Sequence, residues 1–396
     1  MLFSLLLLSN NVLAQSSDDE WEDWGNDQTA NDSPWIFNSY IQALLGQRLH
    51  NNSAVTNTSA KQATWRLEAD YEGDIFQLKV KSNARYDGIT KQSTLKMREL
   101  ALTVNFADSD MALIKDTLLA NTSLVIGRQS LSWGVGDFLF INDIYAKNWS
   151  AFFDGSDIQY LKQPNDALKL SYFADSVSID FVYQPSTNTD QLVNHESLLL
   201  PATPDGSTTN ARIYFSHGKA DYAVYASDGY SPSPEQVGNE FSYHKLRTLG
   251  FSGVMPLYNG LFKFEAGKHW RRGNLTPNKK TQTRFLFGYE QELIPRLNLS
   301  LQGYIEHDST PSTYNHRQVV TAQFNYLSED SAWQSQLMFF HSPNHYDSYI
   351  RYSTNLRYSD AFSLSFGANI LTGNEQSFFG RLGQQDNAFV RATYYF

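Results

Sequence analysis

The 396-residue chain contains no cysteine. That excludes a disulfide-stapled scaffold, a cysteine-ligated zinc centre and an iron–sulfur cluster, since each needs thiolates. Long apolar runs are missing as well: no stretch of about 18 apolar residues occurs, so no transmembrane helix can be drawn. Charged residues are sparse at 18%. No basic face of the kind that binds nucleic acid stands out, and no nucleic-acid partner is expected. What the chain does have is rings: 26 Phe, 23 Tyr and 8 Trp. These carry far more apolar area than a disordered polymer would. A polar average composition beside so many rings does not imply solubility, because a membrane β-barrel alternates lipid-facing apolar residues with lumen-facing polar ones.

The formal net charge of −10 is concentrated at the start: Asp18, Asp19, Glu20, Glu22, Asp23, Asp27 and Asp32 all precede the first basic residue, Arg48. Before them, an apolar core Leu2–Leu8 is followed by Val12-Leu13-Ala14. This spacing predicts a signal peptide over 1–14, although no Lys or Arg precedes the core. Residues 15–34, with Trp21 and Trp24 among the acids, read as an acidic periplasmic segment. Such a segment is either simply solvated or a dock for a basic periplasmic or inner-membrane transport partner.

From Pro34 a two-residue period takes over. Trp65, Leu67, Ala69 and Tyr71 alternate with Arg66, Glu68 and Asp70, and Phe362, Leu364, Phe366 and Ala368 alternate with Ser363, Ser365 and Asn369. This is the pattern of a strand with one apolar face. It predicts eighteen strands: 36–47, 62–72, 75–86, 95–107, 121–131, 166–174, 177–184, 210–217, 219–228, 244–254, 259–269, 282–292, 296–306, 316–327, 331–341, 347–358, 361–371 and 387–396, with sixteen as the alternative count. Asp157–Lys162 is assigned to a loop, because a nineteenth strand there would invert every later turn. Short turns such as Glu72-Gly73-Asp74 and Ser359-Asp360 alternate with long polar connections. The expected fold is an all-β, antiparallel transmembrane β-barrel over 35–396 with both termini periplasmic, in the outer membrane of a Gram-negative bacterium. A soluble sandwich or propeller would need one enormous core to hide so continuous an apolar face.

The polar faces put Glu99, Arg66, Lys79, Lys81, Arg85, Arg284 and Arg351 in the lumen, where they could favour anionic or polar solutes; Arg128 shares parity with the apolar Leu124 and Ile126. Lys96 and Arg98 share parity with Leu100 and Leu102, so they are expected outside, near lipid and lipopolysaccharide phosphates. The segment 131–165 is too aromatic for a water-exposed loop and is expected to fold inward. Trp133, Asp137, Phe138, Phe140, Asp143 and Trp149 would then line a constriction. A second long loop carries Leu198-Leu199-Leu200-Pro201 and would cap or plug.

Two resemblances follow from quoted residues. Ala388, Val390, Ala392, Tyr394 and the terminal Phe396 share one face, which resembles the C-terminal strand signal that the barrel-assembly machinery recognises. The strand ending in Gly127-Arg128-Gln129, followed by Trp133-Gly134 and a constricting loop, resembles outer-membrane channels of the alginate-export type and related porin-like barrels. Glu99-Leu100-Ala101-Leu102 is similar to the Glu-bearing strand that precedes Gly-Arg-Gln there. The resemblance covers roughly 95–185. It implies that Glu99 and Arg128 lie on adjacent strands and pair within the lumen, and that the channel could act with an inner-membrane efflux system. The alternative function is a binding module or receptor for an amphipathic ligand.

An enzyme is not expected. The chain has no His-Glu-x-x-His, no Gly-x-Ser-x-Gly and no phosphate-cradling glycine loop. The nine histidines fall mostly at strand ends or in loops. His341 and His345, which flank Ser342-Pro343-Asn344, read as solvated loop residues. No cofactor or metal is expected.

Overall fold

A computed structural model describes residues 33–50, 56–106, 117–193, 200–237, 240–273, 280–309 and 316–396. The expected signal peptide 1–14, nearly all of the acidic segment 15–34, and Leu198 and Leu199 of the second loop lie outside these residues.

Strands of 8 to 15 residues form the wall. They are β1 Trp35–Arg48, β2 Thr58–Glu72, β3 Phe76–Asp87, β4 Gln92–Asn105, β5 Thr122–Ser130, β6 Pro164–Phe173, β7 Val177–Gln184, β8 Thr208–His217 and β9 Ala220–Tyr230. After a small hairpin of β10 Glu235–Val237 and β11 Glu240–Ser242, the wall resumes with β12 Lys245–Leu257, β13 Gly260–Arg272, β14 Lys280–Ile294, β15 Leu297–Asp308 and β16 His316–Leu327. It ends with β17 Trp333–Ser342, β18 Asp347–Ser359, β19 Phe362–Thr372 and β20 Asn387–Tyr395. Each wall strand pairs antiparallel with its neighbours, and β1 pairs with both β2 and β20. The result is a closed eighteen-stranded antiparallel barrel with no free edge.

Closure sorts the side chains as the two-residue period requires. Ile41, Trp65, Leu100, Phe287 and Val390 are exposed on the outside, while Arg66, Lys81, Glu265 and Arg351 are buried inside. An outer surface this apolar is stable only against lipid. At the rim of the short turns, rings cluster on the outer face: Trp35 lies 5.1 Å from Tyr71, and Tyr71 is stacked 5.3 Å from Phe76. That is the aromatic girdle of a membrane–water interface, where a ring keeps an apolar body in lipid and a polar tip in water. The first and last wall strands begin and end at this rim, since Trp35 pairs with Tyr71 and Phe362 with Tyr394. Tyr394 and Phe396 are exposed on the outer face beside the β1–β20 seam.

Two expectations of sidedness are overturned. Between Lys81 and Ser82 the β3–β4 ladder skips a residue: Lys81 pairs with Glu99, but Ser82 pairs with Met97. Arg98 is the extra residue of a β-bulge, which reverses the alternation beyond it. Lys96 therefore pairs with the lumen residue Asn83, and Arg98 donates hydrogen bonds to carbonyls of the inward loop. Both cations are inside, not outside.

The converse holds for Arg128, expected in the lumen. Its cross-strand partner is Leu100, which is 47% exposed on the outer face. Arg128 makes a two-point pair there with Asp166 on β6, Nε to Oδ1 at 2.8 Å and Nη2 to Oδ2 at 2.6 Å. The expected Glu99–Arg128 lumen pair does not form. Glu99 faces inward and sits 3.9 Å from Lys79 Nζ.

Candidate functional site

The chain between β5 and β6 enters the barrel and makes two excursions across it. The first begins at Trp133, which is buried with Leu131, Tyr145, Ala167, Val182, Ala223 and Tyr225, with the Arg212 guanidinium 5.5 Å above its ring. It then crosses to β13. There the buried carboxylate of Glu265 accepts three backbone N–H groups, from Val135 at 3.0 Å, Gly136 at 3.1 Å and Asn142 at 2.7 Å. Gly134 makes this approach possible: its φ is +87°, and a Cβ there would lie 2.7 Å from Glu265 Oε1. A loop carrying orphan N–H groups needs a concentrated acceptor, and a carboxylate with several lone pairs serves.

Asp137 accepts a hydrogen bond from Ser300 Oγ at 2.8 Å and lies 3.5 Å from Lys263 Nζ. Phe138 packs against Phe152 and Phe340. The carbonyl of Phe140 accepts from Arg284 Nη1 at 3.2 Å, and Lys147 Nζ lies 4.6 Å from its ring centroid. On the return, Asp143 is buried and pairs with Lys147 at 2.9 Å.

The second excursion carries the helix α1, Trp149–Asp154, capped by Asn148 Oδ1, which accepts from the Ala151 N–H. Gly155 ends it in the left-handed region at φ 89°. A Cβ on Gly155 would strike the Phe389 ring at 2.4 Å. Phe152 and Phe153 join a buried cluster with Leu286, Tyr304, Val319, Met338, Phe340, Tyr349 and Leu371 from the facing wall. Polar groups fix the backbone above that cluster. Arg351 donates to the carbonyls of Phe152 and Ser156, and Asn369 and Asn387 both donate to that of Phe153. Burial would raise the Asp157 carboxyl, but Arg391, 3.0 Å away, and Arg66 pull it below its usual value.

The segment Ile158–Leu161 forms one 3₁₀ turn, not a strand. It delivers Tyr160 to β1–β4. The Tyr160 hydroxyl lies 3.1 Å from that of Tyr40 and accepts from Asn83 Nδ2 at 3.0 Å. Three guanidinium carbons surround its ring, Arg66 at 5.2 Å, Arg85 at 5.3 Å and Arg98 at 5.0 Å. Cation–π attraction of this kind is stronger where water is excluded.

The second loop, after β7, latches onto the first. Asp190 accepts from Lys147 N at 2.7 Å and Trp149 Nε1 at 3.1 Å, and from the Ser233 hydroxyl. Gln191 bridges beside Asn148, and its carbonyl accepts from the Trp149 N–H at 2.9 Å. Burial raises the Asp190 carboxyl above its ordinary value.

Of the residues expected at a constriction, all six lie inside the barrel, but in two settings. Trp133 is buried against the β6–β9 wall and Asp143 within the loop, whereas Asp137, Phe138, Phe140 and Trp149 are only partly buried. Among the lumen charges, Arg66, Arg284 and Arg351 are committed to the loop or its neighbours. Lys81 lies 3.7 Å from Glu68, while Lys79 stays about half exposed at 49%. Sequence reasoning placed Arg98 on the wrong face and missed Tyr160 and Asp190. The only early sign of Tyr160 was its place in a short apolar stretch that did not fit as a strand.

No protein-family model matches the chain, and no curated protein does. Solved structures match across nearly its whole length. The Acinetobacter baumannii barrel OccAB1 has a TM-score of 0.59 at 8% identity, covering 94% of this chain and 99% of its own. A. baumannii OccAB4 gives 0.57 at 9% identity, covering 92% and 98%. Pseudomonas aeruginosa OccK2 (OpdF), solved in complex with glucuronate, gives 0.57 at 11% identity, covering 91% and 97%. At such identities the likeness is one of fold. The chain has the fold of Gram-negative outer-membrane β-barrels, and its apolar outer face is what a membrane demands.

Proposed function

We propose that the protein is an outer-membrane channel for small polar solutes, narrowed by the loop between β5 and β6 and biased toward anions. The observation that carries this reading is the lumen wall of β2–β4. Arg66, Lys79, Lys81, Arg85, Lys96 and Arg98 face inward there against Glu68, Asp70 and Glu99. An excess of fixed cations along a narrow, partly water-excluded path lowers the electrostatic barrier for anions and raises it for cations. The glucuronate held by the Pseudomonas barrel makes a small sugar acid the first solute to try.

Planar-bilayer recording tests the proposal. In a KCl gradient the reversal potential should report anion preference, and residues 135–160 should restrict the current, so their deletion should enlarge it. No current from either the intact or the deleted protein would defeat the channel reading. A cation-selective current would defeat the bias while leaving the channel.

A further inference from the structure

Outside the lumen, at the long-loop end of the barrel, two histidines face each other across neighbouring strands. His307 is near the end of β15 and His316 begins β16, and they are cross-strand partners. Their Nδ1 atoms are 3.0 Å apart and their rings lie 4.4 Å apart. Both share parity with outward residues, His307 with Ile305 and His316 with Val320. The acids flanking His307 turn the other way: Glu306 lies 3.3 Å from Arg284, and Asp308 pairs with Arg271.

We propose that His307 and His316 form a binding site for a divalent transition-metal ion that prefers imidazole, copper(II) or nickel(II) above all. Two imidazole nitrogens at bonding distances of roughly 2.0–2.1 Å from one ion sit about 3 Å apart when the angle between them is near 95°. That is the cis arrangement of a tetragonal centre. The ladder sets this spacing before any ion arrives, and the rings, stacked at 28° to each other, need only turn about their side-chain torsions for both Nδ1 lone pairs to converge on the ion. Asn344 stiffens one side, donating to the His316 carbonyl at 2.7 Å and accepting from the Gln318 N–H at 3.1 Å. Among the described residues no group of three metal-binding His, Cys, Asp or Glu side chains occurs. The protein therefore supplies two ligands, and solvent fills the remaining positions. A centre of this kind would staple the β15–β16 hairpin at its loop end.

The test is titration of the tag-free, folded barrel in detergent with copper(II) and with nickel(II), followed by calorimetry and by electron paramagnetic resonance of the copper form. We expect one saturable site whose copper spectrum shows coupling to two nitrogens. His307→Ala and His316→Ala should each weaken binding by about ten-fold or more. His341→Ala and His345→Ala serve as controls and should leave it unchanged. The proposal is overturned if either of the first two variants binds as tightly as the unaltered protein, or if binding is lost in a control, or if no saturable binding occurs up to about millimolar ion. Heat-modifiable electrophoretic mobility shows that each variant is still a closed barrel.

Discussion

On the β14–β19 side of the lumen the inward loop is held by rings, whereas on the β1–β4 side it is held by cations. Phe152 and Phe153 are sealed among Tyr304, Val319, Met338, Phe340 and Tyr349, an attachment that salt does not weaken. Tyr160 instead sits amid Arg66, Arg85 and Arg98, where mobile anions can screen or compete over a Debye length of about 8 Å at physiological salt. The difference separates two jobs. The aromatic side fixes where the loop is, and under the proposed channel function the cationic side, with the half-exposed Lys79, is the one a solute would meet.

The largest effect should come from breaking the aromatic anchor. Phe152→Ala is expected to cost about 3–5 kcal/mol of loop packing, giving a larger and noisier single-channel current. A quiet, wild-type current would show that rings are not the anchor. Glu265→Gln should come next. It removes the charge that gathers three N–H groups, at about 2 kcal/mol, and should raise protease sensitivity of the loop between β5 and β6 in detergent. Gly134→Ala forces a left-handed residue and a contact with Glu265, costing about 1–2 kcal/mol, and the same proteolysis assay should detect it more weakly.

On the cationic side, Lys79→Gln, which removes a half-exposed lumen cation paired only loosely with Glu99 at 3.9 Å, should move the reversal potential toward cations while leaving loop proteolysis alone. Arg128→Gln, on the outer face, should not move it; equal shifts from both would erase the distinction between the lumen and the outer face. The smallest effect concerns pH. Burial raises the Asp190 carboxyl above its ordinary 3.8, so the latched loops bind a proton more readily than released ones. The latch is therefore strongest below that ordinary value and loses its advantage as pH rises through the raised one. Channel opening should increase over that acid range, and Asp190→Asn should flatten the dependence.

Much of the wall was legible because a strand with lipid on one side and water on the other leaves a period of two that composition cannot hide. The eighteen strands, including the difficult β6 and β7 around the turn at 174–176, follow from it within a few residues at each end. Sidedness failed at two places for two reasons. Parity counting assumes an unbroken ladder, and nothing in the sequence around Lys96, Met97 and Arg98 announces an extra residue. Arg128 was read against its own parity, which it shares with Leu124 and Ile126, and Asp166 as its partner was invisible because the strand that carries it lies beyond the loop. The loop's aromatic content foretold burial. Its docking groups, Glu265, Asn369 and Asn387, could not be matched to it, because contacts across more than a hundred residues leave no local pattern.

The bulge at Arg98 carries a consequence for how such a wall can change. Its one extra residue brings Arg98 and Lys96 inward and turns Met97 and Leu95 toward lipid, so that four side chains depend on a single unpaired position. The charge lining of this sector can thus be rewritten by the loss or gain of one codon, with no substitution at all. Lineages of barrels could exchange charged and greasy linings by slippage in the gene rather than by a series of point mutations.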